Sequence, residues 1–140
     1  MEVKFYNEIS DALIKYAVIA SRYKDKWVFC KHKERSTYEI PGGHREEGET
    51  VTAAAIRELT EETGAKEFNI FPVCVYSVQK ENEPESFGML YYAEITELED
   101  ELHFEIESVH LFEKLPSEWT YPLIQPKLIE KTIEKRGLRV

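Results

Sequence analysis

Cysteine is scarce in this chain. Cys30 and Cys74 are the only two in 140 residues, too few for a disulfide framework. Both sit in apolar runs and read as reduced, buried small side chains. Basic residues are also few: 18 Lys and Arg face 27 Asp and Glu, for a net charge of −9. A surface of that sign repels anionic membranes and duplex nucleic acid, which excludes both as partners. Nucleotides stay open, because a divalent cation can screen their phosphates. No apolar run is long enough to cross a bilayer; "DALIKYAVIASRY" is too short and is interrupted by Lys15. The acidic first residues do not read as a signal peptide. Repeats, low-complexity segments and linkers are missing as well. The expectation is a soluble, intracellular protein of the cytoplasm. With 42% hydrophobic residues it has enough for one core, in a single domain over residues 1–140.

The pattern along the chain predicts a mixed α/β fold. "ALIKYAVIASRY" and "WVFCKH", joined by the polar "KDK", read as a hairpin over residues 12–32. "STYEI" reads as a short strand ended by Pro41, and Pro41, Gly42 and Gly43 as a tight turn. A helix opens at Glu49 or Thr50 and runs to Thr63, with Gly64 just past its end. "FNIFPVCVYSV" and "FGMLYYAEI" read as strands around the loop "QKENEPES", and "FEIESVHLF" as a further strand. From Pro126, Leu128, Ile129 and Ile133 recur at helical spacing up to basic residues and Gly137. Strands with one central and one C-terminal helix make a mixed α/β domain.

The stretch "GGHREEGETVTAAAIRELTEETGA" is the densest chemistry in the sequence. Each helical residue turns about 100°, so Glu62 lies about 40° to one side of Glu58 and Glu61 about 60° to the other. The three carboxylates share one arc, while Val51, Ala55 and Leu59 form an apolar stripe able to face a core. A Glu-rich helix is most often a solvated face, and Arg57 with Glu61 makes an ordinary i, i+4 pair. Three acids on one arc repel one another, however, and a bridging cation removes that cost. Oxygen-only ligands select hard ions such as Mg²⁺ or Mn²⁺. Gly42 and Gly43 allow the backbone to come close to a ligand, and a carbonyl there can face a metal.

The spacing runs Gly43, five residues, Glu49, seven residues, Arg57-Glu58-Leu59, one residue, Glu61-Glu62, one residue, Gly64. This resembles the signature box of the Nudix (MutT-like) hydrolases. Chance produces such a match in on the order of one window in 10^7 at typical residue usage. Ala65 departs from the bulky aliphatic residue usual after the last glycine. The resemblance implies an α/β/α sandwich with a mixed β-sheet, the box helix and a C-terminal helix. It implies that Glu58, Glu61 and Glu62 hold Mg²⁺, or Mn²⁺, with the Gly43 carbonyl as a further ligand. Arg57 would orient Glu49 or Glu61 through charge-assisted hydrogen bonds. Glu49 and Gly64 would be structural. Glu46 and Glu47 read as solvated loop charges.

In such enzymes water attacks phosphorus and a carboxylate takes its proton; Glu58 is the expected base, with Glu61 and Arg57 beside it. A supplementary carboxylate would come from "FEIES", as Glu105 or Glu107, with Glu105 preferred. "CKHKERSTYEIPGGH" resembles the nucleoside triphosphate pyrophosphohydrolases of the family, including those acting on 8-oxo-dGTP. Lys31, Lys33, Arg35 and His44, with Gly42 and Gly43, are the candidates for phosphate contact. The asparagine that reads the oxidised base in those relatives has no counterpart in "TYPLIQPKL", where Gln125 is the only amide. Tyr76, Phe87 and Tyr91 are candidates for stacking on a base, although strand aromatics are more often core. His103 and His110 have no zinc-spaced partners and read as structural. The expected substrate is a small-molecule nucleoside triphosphate, cleaved to monophosphate and pyrophosphate by a monomer or homodimer. Conjugates such as ADP-ribose, the 5′ end of RNA, and a catalytically silent binding module are the alternatives.

Overall fold

The computed structural model describes residues 1–99 and 106–138. The elements run β1 (Glu2–Tyr6), a 3₁₀ turn (Asp11–Leu13), β2 (Ile14–Tyr23), β3 (Lys26–His32), β4 (Gly42–His44), α1 (Val51–Thr63), β5 (Ala65–Gln79), β6 (Ser86–Leu98), β7 (Ile106–Phe112) and α2 (Gln125–Arg136). Seven strands form one mixed sheet in the order β1-β5-β6-β2-β3-β7, with β4 pairing β2. The β2–β6 pair is parallel and the other pairs are antiparallel. The predicted hairpin is β2–β3. Its two-residue turn holds Lys24 and Asp25 at φ 50° and 64°, the backbone that fits the twist of two antiparallel strands.

Strand alternation divides the core in two. Val18 and Ala20 of β2, Trp27 and Phe29 of β3, and Leu90 and Tyr92 of β6 face Leu128 and Ile129 of α2. Their neighbours Ala17, Ile19, Val28, Tyr91, Ala93 and Ile95 face Ala54, Ala55 and Leu59 of α1. Two helices therefore cover opposite faces of one sheet, because period-2 strands offer apolar side chains to both. Leu59 is completely buried; truncating such a side chain to Ala costs about 2–5 kcal/mol.

Two local expectations change. "STYEI" forms no strand: Tyr38 and Glu39 make only isolated bridges, to Trp119 and Cys30. The strand falls instead on Gly42–His44, read from sequence as a tight turn. The cause is the sheet's geometry. β3 pairs with β2 only at Arg22–Trp27 and Tyr23–Lys26, then departs to pair with β7. The space it leaves along β2 is filled by β4, with Ala17 opposite Gly43 and Val18 opposite Gly42. The sequence reading also passed over β1, which pairs with residues 75–79 of β5 and completes that edge.

Candidate active site

Helix α1 starts and stops where its sequence asks. Thr50 caps it, its side chain accepting from the Ala53 N–H, and Gly64 ends it in the left-handed region at φ 75°. That frame fixes the rotation of the carboxylates. Arg57 grips Glu49 bidentately, Nε donating to Oε2 at 2.9 Å and Nη2 to Oε1 at 3.0 Å. Its Nη1 donates to Glu58 Oε1 at 2.7 Å, and Nη2 also donates to the His44 carbonyl at 3.0 Å. Glu61 stands 3.6 Å away. Between the two acids foreseen for Arg57, the close pair is Glu49. Glu49 accepts as well from the Glu46 N–H, and these bonds draw its carboxyl down to about 2.

The paired glycines serve close approach rather than unusual dihedral angles; neither has positive φ. A Cβ on Gly43 would lie 2.6 Å from Glu58 Oε1, and one on Gly42 would lie 2.8 Å from the Ala17 carbonyl. The Gly42 N–H donates to Glu62 Oε1 at 2.7 Å. Glu62 is only 9% exposed. Burial, reinforced by Glu58, Glu39 and Glu61, pushes its carboxyl up to about 8. Burial also raises Glu58, against the pull of Arg57. Three acids coupled in this way, with one guanidinium among them, form an oxygen-rich site short of positive charge. Its donor set fits a hard divalent cation.

Two clefts meet at β4. One, of about 480 Å³, is lined by Gly42, Gly43, His44, Tyr16, Tyr76 and Gln125 among others. The His44 ring lies 4.5 Å from that of Tyr16. The Gln125 oxygen accepts from the Ile40 N–H at 2.9 Å, so its amide nitrogen is the end left for a ligand. The other cleft, of about 540 Å³, includes His32, Lys33, Arg35, Glu39, Glu62 and Tyr121. Glu39, Gly42 and Tyr121 border both.

Among the sequence candidates, Gly42, Gly43 and His44 line the first cleft, and Arg35 lines the second, its Nη1 donating to Glu39 at 3.0 Å. Lys31 lines neither; Lys33 lines the second. Tyr76 reaches the first cleft, whereas Phe87 packs on Tyr6 and Tyr91 is buried with its hydroxyl on Thr52. His110 packs against Tyr38 and Phe112. Glu105 and His103 lie outside the described residues, as does the side chain of Glu107. Sequence reasoning missed His32 and Glu39. His32 Nε2 lies 2.7 Å from Glu39 Oε1 and 3.3 Å from Glu62 Oε2. The available signal was the glutamate of "YEIPGG", separated from the glycines by two apolar residues.

This sandwich, with a glycine strand pressed on an arginine-locked carboxylate helix, defines a Nudix hydrolase. The chain belongs to that family: the NUDIX domain model matches residues 14–113. It is 35% identical over 103 residues to the Bacillus subtilis (strain 168) protein named "Putative 8-oxo-dGTP diphosphatase YtkD", a match covering 73% of this chain and 64% of that protein. Less than two thirds of that relative is therefore matched. Among solved structures, a mutant form of the Bacillus subtilis pyrophosphohydrolase BsRppH superposes with a TM-score of 0.78 at 26% identity, covering 94% of this chain and 90% of that one. A UDP-X diphosphatase shares the fold at a TM-score of 0.74 and 17% identity, over 93% and 66% of the two chains. No helix among the described residues is long and apolar enough to cross a membrane.

Proposed function

We propose that the protein is a Mg²⁺-dependent pyrophosphohydrolase of nucleoside triphosphates, releasing nucleoside monophosphate and pyrophosphate. The observation that carries this reading is the placement of Glu58. Arg57 holds its Oε1, Gly43 packs against it without a Cβ, and the cleft bordering Gly43 is of nucleoside size. Glu58, Glu61 and Glu62, with the Gly43 carbonyl, are the residues that would hold the cation; Mn²⁺ suits the same oxygens. When bound, the cation neutralises phosphate oxygens and acidifies a water.

The remaining work falls to side chains. Glu58 accepts the proton of the attacking water. Arg57 is a positioning residue: bound on its other edge to Glu49, it fixes the Glu58 rotamer. Gly42 and His44 contact phosphates at the cleft floor. Tyr76 and the Tyr16–His44 pair offer ring faces to a base, and the Gln125 amide nitrogen offers donors to acceptor atoms on its edge. Oxidised dGTP falls within this substrate class, as the name of the 35%-identical relative supports.

A second reading, hydrolysis at the triphosphorylated 5′ end of RNA, draws on the junction of the two clefts at Glu39, Gly42 and Tyr121, which leaves room beyond one nucleoside. Incubation with Mg²⁺ and dGTP, 8-oxo-dGTP, ADP-ribose or triphosphorylated RNA, with product identification, separates these readings. Pyrophosphate and monophosphate are expected from a triphosphate. Release of inorganic phosphate alone, or turnover of ADP-ribose only, would overturn the first assignment.

A further inference from the structure

The second cleft has a floor that the proposed reaction uses only at Glu62. Cys30, His32, Glu39 and Glu62 each direct a ligand atom into one spot, and these atoms all lie within 4.8 Å of one another. They come from three places in the fold: β3 supplies Cys30 and His32, the bridge segment supplies Glu39, and α1 supplies Glu62. His32 Nε2 already spans Glu39 Oε1 and Glu62 Oε2, at 2.7 and 3.3 Å. The Cys30 thiol donates to the Glu39 carbonyl at 3.4 Å. Three of the four residues are buried, and His32 is partly exposed along the cleft wall, which gives an ion a way in.

We propose that this cluster is a binding site for a borderline-soft divalent ion, Zn²⁺, separate in chemistry from the oxygen-only Mg²⁺ set but sharing Glu62 with it. Sulfur and imidazole ligands select Zn²⁺ over Mg²⁺. A tetrahedral ion with bonds of about 2.0–2.3 Å holds its ligands about 3.3–3.8 Å apart, so the widest pairs close by about 1 Å while the 2.7 Å His32–Glu39 pair opens to admit the ion. The two buried carboxylates become a divalent cation's counter-charge once they ionise on binding. Without metal the Cys30 thiol is protonated, raised by burial and by Glu62 and Glu39. Binding forms the sulfur–metal bond, and the protons held by the Cys30 thiol and by the His32–Glu62 pair leave to solvent. Drawing Glu62 Oε2 onto an ion beside His32 turns that carboxylate away from the Mg²⁺ set. Zn²⁺ therefore inhibits. The inhibition rests on the Mg²⁺ assignment of Glu62; the binding does not.

Cobalt reports the ligands directly. Metal-free protein titrated with Co²⁺ is expected to take up one equivalent, with a sulfur-to-cobalt charge-transfer band in the near ultraviolet that Zn²⁺ abolishes. Cys30→Ser and Cys30→Ala should lose the band and weaken Zn²⁺ by at least about 10-fold. His32→Gln should weaken Zn²⁺ while keeping thiolate character. Cys74→Ala, buried elsewhere in the core, should leave band and affinity unchanged. Cobalt uptake without the band, a band surviving both Cys30 variants, or no uptake would overturn the site. These readings need no turnover. A protein that binds Co²⁺ as described but hydrolyses no nucleotide refutes the proposed function alone. One that hydrolyses with Mg²⁺ and shows no cobalt–thiolate band refutes this site alone.

Discussion

Gly43 owes its identity to a neighbour rather than to its own dihedral angles. It sits extended in β4, where any residue could follow the backbone, but an added methyl would press on both Glu58 oxygens, at 2.6 and 2.9 Å. The neighbour cannot retreat freely, because Arg57 Nη1 holds Glu58 and Glu49 holds Arg57. Gly43→Ala is therefore expected to displace the Glu58 carboxylate while leaving the fold intact. Turnover should fall by about 100-fold, the scale on which ångström misplacement acts in a catalytic site. The thermal midpoint should move little, since the methyl meets the end of a side chain. Steady-state kinetics beside a melting curve check this. Full activity in the alanine variant would show that Glu58 need not be held there. At Gly42 the same change meets backbone and the Val18 side chain, so there the loss should be in stability as well.

Helix α1 carries most of what the sequence made legible. Its Thr50 cap, its apolar stripe and its Gly64 stop were all written locally, in residues whose preferences act within a turn of themselves. Gly64→Ala tests the stop. At φ 75° an alanine costs about 1 kcal/mol, with nothing nearer than 3.6 Å to add a clash. The expected drop is about 3 °C in thermal midpoint, with activity falling only as far as the register of Glu61 and Glu62 loosens. An unchanged midpoint would mean that the last turn contributes no stability. The legible residues end where partners are distant in sequence. "STYEI" carries strand propensity as good as that of its neighbours, yet β3's turn toward β7 leaves it only bridges. "GGH" carries almost none and becomes β4, where Gly42 lies too close to β2 and Gly43 too close to Glu58 of α1 for a side chain. The Glu39–His32–Glu62 contact joins residues from three segments, which no periodicity announces. The Arg57–Glu49 pairing lay within one short loop and helix, and was foreseen as one of two options.

At the scale of the whole molecule, the net charge of −9 sets the terms on which this site is folded. Glu62 lies among Glu58 and Glu61 of its own helix and Glu39, Cys30 and His32 of the second cleft, with the Gly42 N–H as a fixed donor. Its carboxyl, near 4.5 in an unfolded chain, is pushed up to about 8 in the folded protein. Between these values the native state holds a proton that the unfolded state has released. Stability of the metal-free protein therefore falls as pH rises across this window, at up to about 1.4 kcal/mol per pH unit. Glu49 acts in the opposite sense, drawn down to about 2. Its stabilising contribution is complete above about 4.5 and is lost only toward pH 2, so it adds no slope near neutrality. A cation bound by the same carboxylates replaces the missing proton, so Mg²⁺ should stabilise more at pH 9 than at pH 6. Melting curves at both pH values, in chelator and in Mg²⁺, measure the two slopes. In chelator the midpoint should be lower at pH 9 by several degrees, Mg²⁺ should narrow the gap, and Glu62→Gln should flatten the chelator curve because its amide cannot ionise. A Glu62→Gln protein that kept the full pH slope would place the titrating group elsewhere. The two slopes together separate a site that is merely buried from one built to exchange a proton for a metal.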